Sequence, residues 1–369
     1  MTLDYEVDRS PAPAYEKDGK HLKNTSERVT VKSRFPLKDI ALQAGLSLAT
    51  VDRVMHEREG VRAVTRTRVA AAIAELERQY VQSGLAGRRL VIDVVMDTPQ
   101  RFSSAVREAF EAELPGMRPA SFFARFHVAE TMSEAELLSI LRAIRRRGSH
   151  GVVLKAASTP AIADFAAQLM AARIPVVTLV TDLPENSRIG YVGMDNRMAG
   201  ATAAYLLGRM AGERAGKVLV TLSSSLFAGE DERERGFRDT LAERFPHLSV
   251  VRISEGFGVD RTTELLVRDA LEREPDIRAV YSAGGGNRAI LKAFTEARRE
   301  CTVFAAHDLD QDNIGLLATG EITFVIHHDL RHDARSACQL MLAYHRMLPA
   351  DFQVAPSRVA IATPFEPAH

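Results

Sequence analysis

Apolar residues recur at spacings of three and four positions between residues 37 and 76, and this periodicity predicts a group of short helices. Gly45 interrupts the first helix at a tight turn, where glycine adopts positive φ without a Cβ clash. Ser47 and Thr65 are suited to cap the second and third helices. We therefore predict three packed helices within residues 35–80. Their apolar positions are Leu37, Ile40, Ala41, Val51, Val54, Met55, Val69, Ala72, Ile73 and Leu76.

From Leu90 onward, short apolar runs alternate with amphipathic segments of helical period. The expected strands include LVIDVV, FFARFHV, GVVLK, IPVVTLV, KVLVTL, LSVVRIS, AVYSA and CTVFAAH. The expected helices lie near 103–114, 133–147, 160–172, 197–212, 231–244, 260–273 and 286–298. This alternation is typical of parallel sheets with crossover helices. Two successive series of about five strands predict two doubly wound lobes, and ligands bind such folds at the carboxyl ends of the strands.

Composition narrows the class of protein without identifying it. The 369 residues carry no net charge, and no run approaches the ~18–20 apolar residues of a membrane span. Residues 1–34 are polar and predict a disordered tail. They have acids where a signal peptide would carry bases, so we expect a cytoplasmic location. Cys301 and Cys338 lie far apart without metal-type spacing, so we expect two core residues and neither a metal nor another cofactor.

Charge alone does not identify residues 35–80 as a nucleic-acid binder. This segment carries seven Lys and Arg residues against six Asp and Glu residues. Its geometry is more informative, because the second predicted helix presents Leu48, Ala49, Thr50 and Arg53 at its N-terminal end. A helix-turn-helix places that end in the major groove of DNA. A plain helical hairpin is the alternative that the pattern leaves open.

The segment from Pro36 to Tyr80 resembles the DNA-binding headpiece of the lactose/galactose repressor (LacI/GalR) family. The matching stretches are LKDIALQAG, LSLATVDRVM, GVRAVTRTRV and VAAAIAELE. The resemblance implies that Leu48, Ala49 and Arg53 read base edges, and an arginine there usually reads guanine. It also implies phosphate contacts, which would come from Ser47, Thr50 and Thr65.

Two features depart from that family. Asp52 replaces a small hydroxyl residue, and we expect it either to pair with a nearby arginine or to accept from a cytosine amino group. The hinge, residues 81–89, is short and contains Gly84, which weakens a helix. The resemblance makes Leu85 the candidate wedge in the minor groove, and a flexible linker is the alternative.

Residues 90–369 resemble the two-lobed periplasmic-binding-protein type I sensor of the same family, which gives an α + α/β fold class for the chain. The supporting motifs are IPVVTLVTD, VGMDNRMAG, RERGF, AHDLDQDN and IHHDL. The first lobe is expected at about 90–195 and 323–345, and the second at about 196–322 and 346–369. The resemblance and the polar chemistry of sugars together give a set of candidate ligand-binding residues. They are Asp97, Arg101, Phe102, Lys155, Asp182, Asp195, Asn196, Arg233, Asn287, Asp308 and His328.

These features predict a ligand-responsive, sequence-specific transcriptional regulator. We expect a homodimeric repressor of sugar or polyol genes, a near-palindromic DNA operator and a small sugar-like effector. A sugar-binding protein without DNA-binding activity is the alternative. An enzyme is expected least, because Ser223–Ser225 lacks a nucleophile-elbow pattern and adjacent strand residues such as His327 and His328 point to opposite faces.

Overall fold

The computed structural model describes residues 35–85, 88–349 and 351–365, without the side chains of 77–85. The predicted tail, residues 1–34, lies outside this range. The chain divides into two compact units, residues 1–81 and 82–369, and each is described by itself. Among the described residues, no helix is long and apolar enough to cross a membrane.

The described part of the first unit contains three helices: α1 Leu37–Ala44, α2 Leu48–Met55 and α3 Ala63–Leu85. Gly45 ends α1 in the left-handed conformation with φ 58°, as the sequence predicts. The Ser47 hydroxyl caps α2 by accepting from the Thr50 amide at 3.2 Å. The predicted cap at Thr65 is wrong, because α3 begins two residues earlier at Ala63. The core of this unit is Ile40, Ala41, Val51, Val69 and Ile73.

The second unit contains two parallel sheets flanked by helices. The first lobe contains β1 Arg89–Asp97, α4 Gln100–Glu113, β2 Ser121–Ala129, α5 Glu134–Arg147, β3 Val152–Lys155, α6 Pro160–Ala171, β4 Val176–Leu179 and β5 Gly190–Val192. Its five strands are all parallel, in the order β2-β1-β3-β4-β5. Every residue of β3 and β4 is buried, because helices cover both faces of the sheet.

The second lobe repeats this plan with an added antiparallel edge strand. It contains α7 Asn196–Ala211, β6 Gly216–Thr221, α8 Ala228–Arg244, β7 Leu248–Ile253, α9 Asp260–Arg273, β8 Ile277–Ser282, α10 Asn287–Glu296, β9 Val303–His307, α11 Gln311–Ala318, β10 Phe324–His327 and β11 Ala360–Ala362. The order is β11-β10-β9-β8-β6-β7, with β11 antiparallel to β10. The predicted succession of two doubly wound lobes is confirmed.

The chain passes between the lobes near Met194, after β10 and near Ser357, where Met194 and Ser357 form an isolated bridge. The last helix, α12 Leu330–Tyr344, packs into the first-lobe core through Ala334, Cys338 and Met341. The predicted boundary at residue 323 is therefore corrected, because β10 pairs with β9 in the second sheet and only α12 returns to the first lobe.

The predicted hinge, residues 81–89, is largely taken up by neighbouring elements. The backbone of α3 continues through Gly84 to Leu85, and β1 begins at Arg89. Residues 86 and 87, and the Leu85 side chain on which the wedge prediction depends, lie outside the described residues.

Candidate functional site

The N-terminal end of α2 forms an exposed polar and apolar surface. Leu48, which is 53% exposed, lies beside the exposed Ala49 and Arg53, whereas Val51 is buried against α1 and α3. Ser47 and Thr50 share a hydroxyl–hydroxyl hydrogen bond of 2.8 Å. The fold therefore brings the predicted base-reading residues together on one side of the headpiece.

Thr65 and Asp52 flank this surface. Thr65 is half-buried on the first turn of α3. Asp52 lies 3.2 Å from the Arg58 guanidinium and 3.0 Å from His56 Nδ1. The first of the two expectations for Asp52, pairing with an arginine, therefore holds within the headpiece. Arg53 itself forms no ion pair with a carboxylate of the described residues.

A second candidate site lies between the two lobes of the second unit, at the carboxyl ends of their strands. Six predicted residues line this cleft: Asp97, Arg101, Phe102 and Lys155 from the first lobe, and Arg233 and Asp308 from the second. The cleft encloses about 50 Å³, well below the roughly 300–1,000 Å³ of most ligand sites. The lobes are thus closed on each other, and a ligand needs them to separate.

Arg101 is the main polar link across the closed cleft. From the N-terminal turn of α4 its guanidinium reaches Asp310 at 3.1 Å and the Gly258 carbonyl at 3.3 Å. Gly285 has φ +85°, and a Cβ there would collide with the Arg101 guanidinium. The glycine at this position therefore leaves room for the arginine.

Two further contacts join the lobes beside Arg101. The Gly229 amide donates to the Thr181 hydroxyl at 3.2 Å, and the Ser158 amide donates to the Leu226 carbonyl at 2.9 Å. Both pairs join a first-lobe loop to the segment at the start of α8. The closed arrangement therefore rests on polar contacts that can exchange with water when the lobes open.

Lys155 is a buried cation in the middle of the cleft. Its ammonium lies 4.3 Å from the centre of the Phe227 ring and donates to the Asp97 carbonyl at 3.2 Å. Burial lowers the pKa of Lys155, and the opposing charges of Glu230 and Asp97 counter that effect. Burial likewise raises the pKa of Glu230, which accepts from the Ser223 amide at 2.7 Å. Both buried groups thus have a hydrogen-bond partner, as buried polar groups require.

Arg233 is held rigidly while part of its guanidinium stays unsatisfied. Its Nε donates to the Asn196 side chain at 2.8 Å and its Nη1 to the Ala283 carbonyl at 3.1 Å. The Nη2 group and Asp308 Oδ1 are both buried without a hydrogen-bond partner. Unpaired buried polar atoms are costly, so their presence in a cleft points to a ligand that pairs with them.

Backbone strain marks the same region. Asp308 and the β-branched Val180 both line the cleft with φ near +65°, at 66° and 63°. Residues other than glycine rarely adopt this conformation, and they do so chiefly at functional sites. In each case the strained residue follows its strand by one position and directs the loop across the cleft.

Five of the predicted ligand residues are not in the cleft lining. Asp182 accepts from the Thr178 hydroxyl and from Arg188, both at 2.6 Å, while its neighbour Thr181 lines the cleft instead. Asp195 is exposed and caps α7 by accepting from the Met198 amide at 2.9 Å.

The other three are buried outside the lining. Asn196 positions Arg233 through the bond described above, and Asn287 donates to the Asn313 side chain at 2.6 Å. His328 lies before α12 with its Nδ1 2.8 Å from Asp333 Oδ2, a close approach without hydrogen-bond geometry.

Sequence reasoning missed several residues that line the cleft. They are Thr98, Pro99, Glu130, Val180, Thr181, Ser223, Phe227, Glu230, Phe257, Ala283, Gly284, Gly285, His307 and Asp310. Glu230 could have been found, because it precedes Arg233 by three positions on the same helix and so shares its face. His307 could not, because it ends an otherwise apolar strand and is bound by the Tyr281 hydroxyl at 2.7 Å. Burial holds the pKa of His307 well below its usual range.

Comparisons with known proteins agree with this division. Residues 36–80 match the model for bacterial regulatory proteins of the lacI family, and residues 91–346 match the periplasmic binding protein domain. A stretch of 149 residues is 26% identical to the ribose import binding protein RbsB of Salmonella typhimurium. It covers 40% of this chain and 49% of RbsB, so the chain spans about half the length of that relative.

Solved structures show the same fold at low sequence identity. GanP, a glucose-galactose binding protein from Geobacillus stearothermophilus, aligns with a TM-score of 0.67 and 20% identity over 75% of this chain and 98% of its own. A solute binding protein from Agrobacterium vitis, bound with alpha-D-tagatopyranose, aligns with a TM-score of 0.66 and 16% identity over 74% of this chain and 95% of its own. The chain belongs to the periplasmic binding protein domain family and has the architecture of a lacI-family regulator.

Proposed function

We propose that this protein is a sequence-specific DNA-binding transcriptional regulator, a repressor of sugar or polyol uptake and catabolism genes that acts in the cytoplasm. One observation carries the proposal: a helix-turn-helix with an exposed reading surface shares a chain with a two-lobed binding cleft. Arg53, with Leu48 and Ala49, reads base edges in the major groove. Ser47, Thr50 and Thr65 contact phosphates, and Leu85 enters the minor groove.

The effector is a small neutral sugar or polyol. Vicinal hydroxyls both donate and accept, so one pair satisfies Arg233 Nη2 and Asp308 Oδ1, the two unpaired buried atoms of the cleft. Lys155 supplies a second donor, and the Phe102 and Phe227 rings supply apolar surface for the C–H face. The cleft groups bind and orient the effector, and we assign them no catalytic role.

The effector acts by changing the population of closed lobes. A ligand shifts such an equilibrium only by its differential affinity for the two states. Arg101 and Thr181 already close the cleft through their contacts with Asp310 and Gly229. A sugar therefore favours closure when its own contacts with both lobes are more stabilising than those direct contacts. We propose that two copies pair and bind a near-palindromic operator, because a two-fold protein matches a two-fold site.

Two measurements on the full chain test the proposal. Fluorescence anisotropy with a duplex from the DNA directly upstream of the coding sequence should show salt-sensitive binding stronger than to a scrambled duplex. A thermal-shift screen of pentoses, hexoses, polyols and nucleobases should find a stabilising sugar or polyol, and that compound should alter the anisotropy curve.

Each result has a distinct meaning. Sugar binding without preference between the two duplexes would support a sugar-binding protein that does not read DNA. Stabilisation by nucleobases alone would overturn the sugar assignment but leave the regulator intact.

A further inference from the structure

The edge of the first sheet opposite the cleft is strongly basic. Parallel strands begin at the same edge of a sheet, so the start of β1 and the helix-to-strand connections before β2, β3 and β4 lie together. The contacts confirm this: the Ser121 amide donates to the Arg88 carbonyl at 2.9 Å, and the Val91 amide lies 3.0 Å from His150 Nδ1. The end of α12 joins them, since His345 Nε2 lies 2.6 Å from the His150 carbonyl.

This edge carries eight arginines and two glutamates, counting residues 88 and 89 at the start of β1, the last three residues of α4, α5, α6 and α12, the connections that follow the first three of these helices, and residues 345–349 after α12. One glutamate, Glu113, is buried and paired with Arg331 and Arg335. Two of the arginines lie against an acid or an aromatic ring, because Arg147 pairs with Asp93 and Arg89 lies over the Phe123 ring. The remaining six define the basic edge: Arg88, Arg118, Arg145, Arg146, Arg173 and Arg346, all of them exposed.

The second lobe provides an internal comparison. Its corresponding helix ends and connections contain six arginines against eight Asp and Glu residues. The two lobes share one architecture, so the fold does not require the basic edge. Basic residues at a helix C-terminus interact favourably with the helix dipole, and this interaction accounts for Arg145 and Arg146 on α5. It does not account for Arg88, Arg118 and Arg346, which lie outside helices.

The headpiece needs additional positive charge if it is to bind DNA tightly. Phosphate neutralisation by Lys and Arg supplies most non-specific affinity and much of the specific affinity for DNA. The headpiece has only seven basic residues against six acidic ones. Along the chain, two residues separate the end of α3 at Leu85 from Arg88, the first residue of the basic edge.

We propose that the basic edge binds the phosphate backbone of the DNA that flanks the sequence read by the headpiece. The inference rests on the proposed DNA-binding function and adds a second contact surface to it. Because the edge offers no groove-entering helix or strand, it contributes affinity without sequence preference.

A matched pair of charge variants of the full chain tests the inference. The edge variant carries Arg145→Gln, Arg146→Gln and Arg173→Gln. Among the described residues these side chains have no carboxylate partner, and Arg145 has only its bond to Gln168. The control variant carries Arg244→Gln, Arg261→Gln and Arg268→Gln, which removes the same charge from exposed positions of the second lobe.

Anisotropy is measured from 50 to 200 mM salt on the upstream duplex, its scrambled counterpart and a shortened duplex that retains only the headpiece site. Each lost phosphate contact reduces the slope of log K against log salt by about 0.9. We expect the edge variant to lose up to about 2.7 from the slope for each bound protomer, or up to about 5.4 for a bound dimer, on both long duplexes, while the ratio of their affinities stays constant. The control variant should follow wild type, and on the short duplex all three proteins should agree.

The outcomes separate the inference from the function beneath it. If wild type prefers the upstream duplex but the edge and control variants have equal slopes, the basic edge does not touch DNA and the regulator assignment stands. If wild type shows no preference for either duplex, the proposed function fails and the inference fails with it. Equal unfolding midpoints for the three proteins in urea establish that the variants are folded.

Discussion

The cleft between the lobes and helix α2 both present charged side chains, but these side chains lie in opposite environments. In the cleft, Arg233 is 2% exposed, and the buried Asp310 faces Arg101 across the two lobes. On α2, Arg53 is exposed, and Asp52 pairs with a half-solvated Arg58. Water and salt screen the second set and hardly reach the first.

This difference sets the size of the effect that each residue should have when it is changed. A buried, oriented charge costs a great deal to leave unpaired, whereas an exposed charge contributes about 1 kcal/mol or less. Substitutions in the cleft should therefore change binding affinity by a large factor that does not depend on salt. Substitutions on the headpiece should change DNA affinity by a smaller factor, and that factor should decrease further as the salt concentration rises.

The largest effect is expected for Arg233→Met. Loss of the guanidinium removes the donor at Nη2 and leaves the Asn196 side chain and the Ala283 carbonyl without their partner. Affinity for the stabilising sugar should fall by about 3 kcal/mol or more, roughly 100-fold or greater, as measured by isothermal titration calorimetry at two salt concentrations. Arg235→Gln, two residues along the same helix on its exposed side, should bind like wild type. Unchanged affinity in Arg233→Met would show that Arg233 does not contact the sugar.

The next effect concerns the pH dependence of stability through Asp310. Burial raises the pKa of this carboxyl from 3.8 to about 6, against the opposing pull of hydrogen bonding and of Arg101. A raised pKa stabilises the folded state below pH 3.8, and that contribution is lost as pH rises through 6. Ionisation of Asp310 therefore lowers the free energy of unfolding at pH 7 by up to about 3 kcal/mol relative to pH 4.

Asp310→Asn, which stays neutral, tests this sign. The difference in urea-unfolding free energy between variant and wild type should move in favour of the variant between pH 4 and pH 7. Other carboxylates titrate in both proteins and cancel in the comparison. A difference that stays constant with pH would show that Asp310 keeps an ordinary pKa in the folded chain.

A smaller, salt-dependent effect is expected for Arg53→Ala on α2. A bidentate contact to guanine provides about 1–3 kcal/mol of discrimination. Affinity for the upstream duplex should fall by roughly 5- to 150-fold in anisotropy titrations, with a much smaller loss on the scrambled duplex. Lys38→Ala removes an exposed headpiece charge from α1 and should lower the affinity for both duplexes by the same factor. If Arg53→Ala lowers the affinity for both duplexes equally, Arg53 contacts a phosphate and not a base.

The contrast between the two regions also explains what the sequence could predict. The headpiece and the alternation of strands and helices follow from periodicity, which is local and repeated many times. The cleft depends on single-residue details at strand ends. Val180 turns the chain with positive φ, so Thr181 lines the cleft where Asp182 was expected. No pattern of apolar residues encodes that turn.

Helix phase accounts for another part of the difference. Asn196 and Arg233 come from different helices, and their 2.8 Å bond makes Asn196 a positioning residue outside the cleft lining. The sequence places both near a strand end without showing which one faces the ligand. Similarly, β10 and α12 are adjacent in sequence but belong to different lobes, because strand pairing with β9 decides the position of β10.

The smallest effect, and the one most sensitive to solvent, is expected for Asp52→Asn. The substitution removes a negative charge near the phosphates and frees Arg58, which lies 3.2 Å from the carboxylate. Both changes favour DNA, so affinity for the upstream and scrambled duplexes should rise by the same factor, at most about fivefold, or about 1 kcal/mol. The gain should disappear toward 200 mM salt in anisotropy titrations, since the groups are exposed. If affinity instead falls on the upstream duplex alone, Asp52 accepts from a cytosine amino group and the headpiece reads a base with an acid.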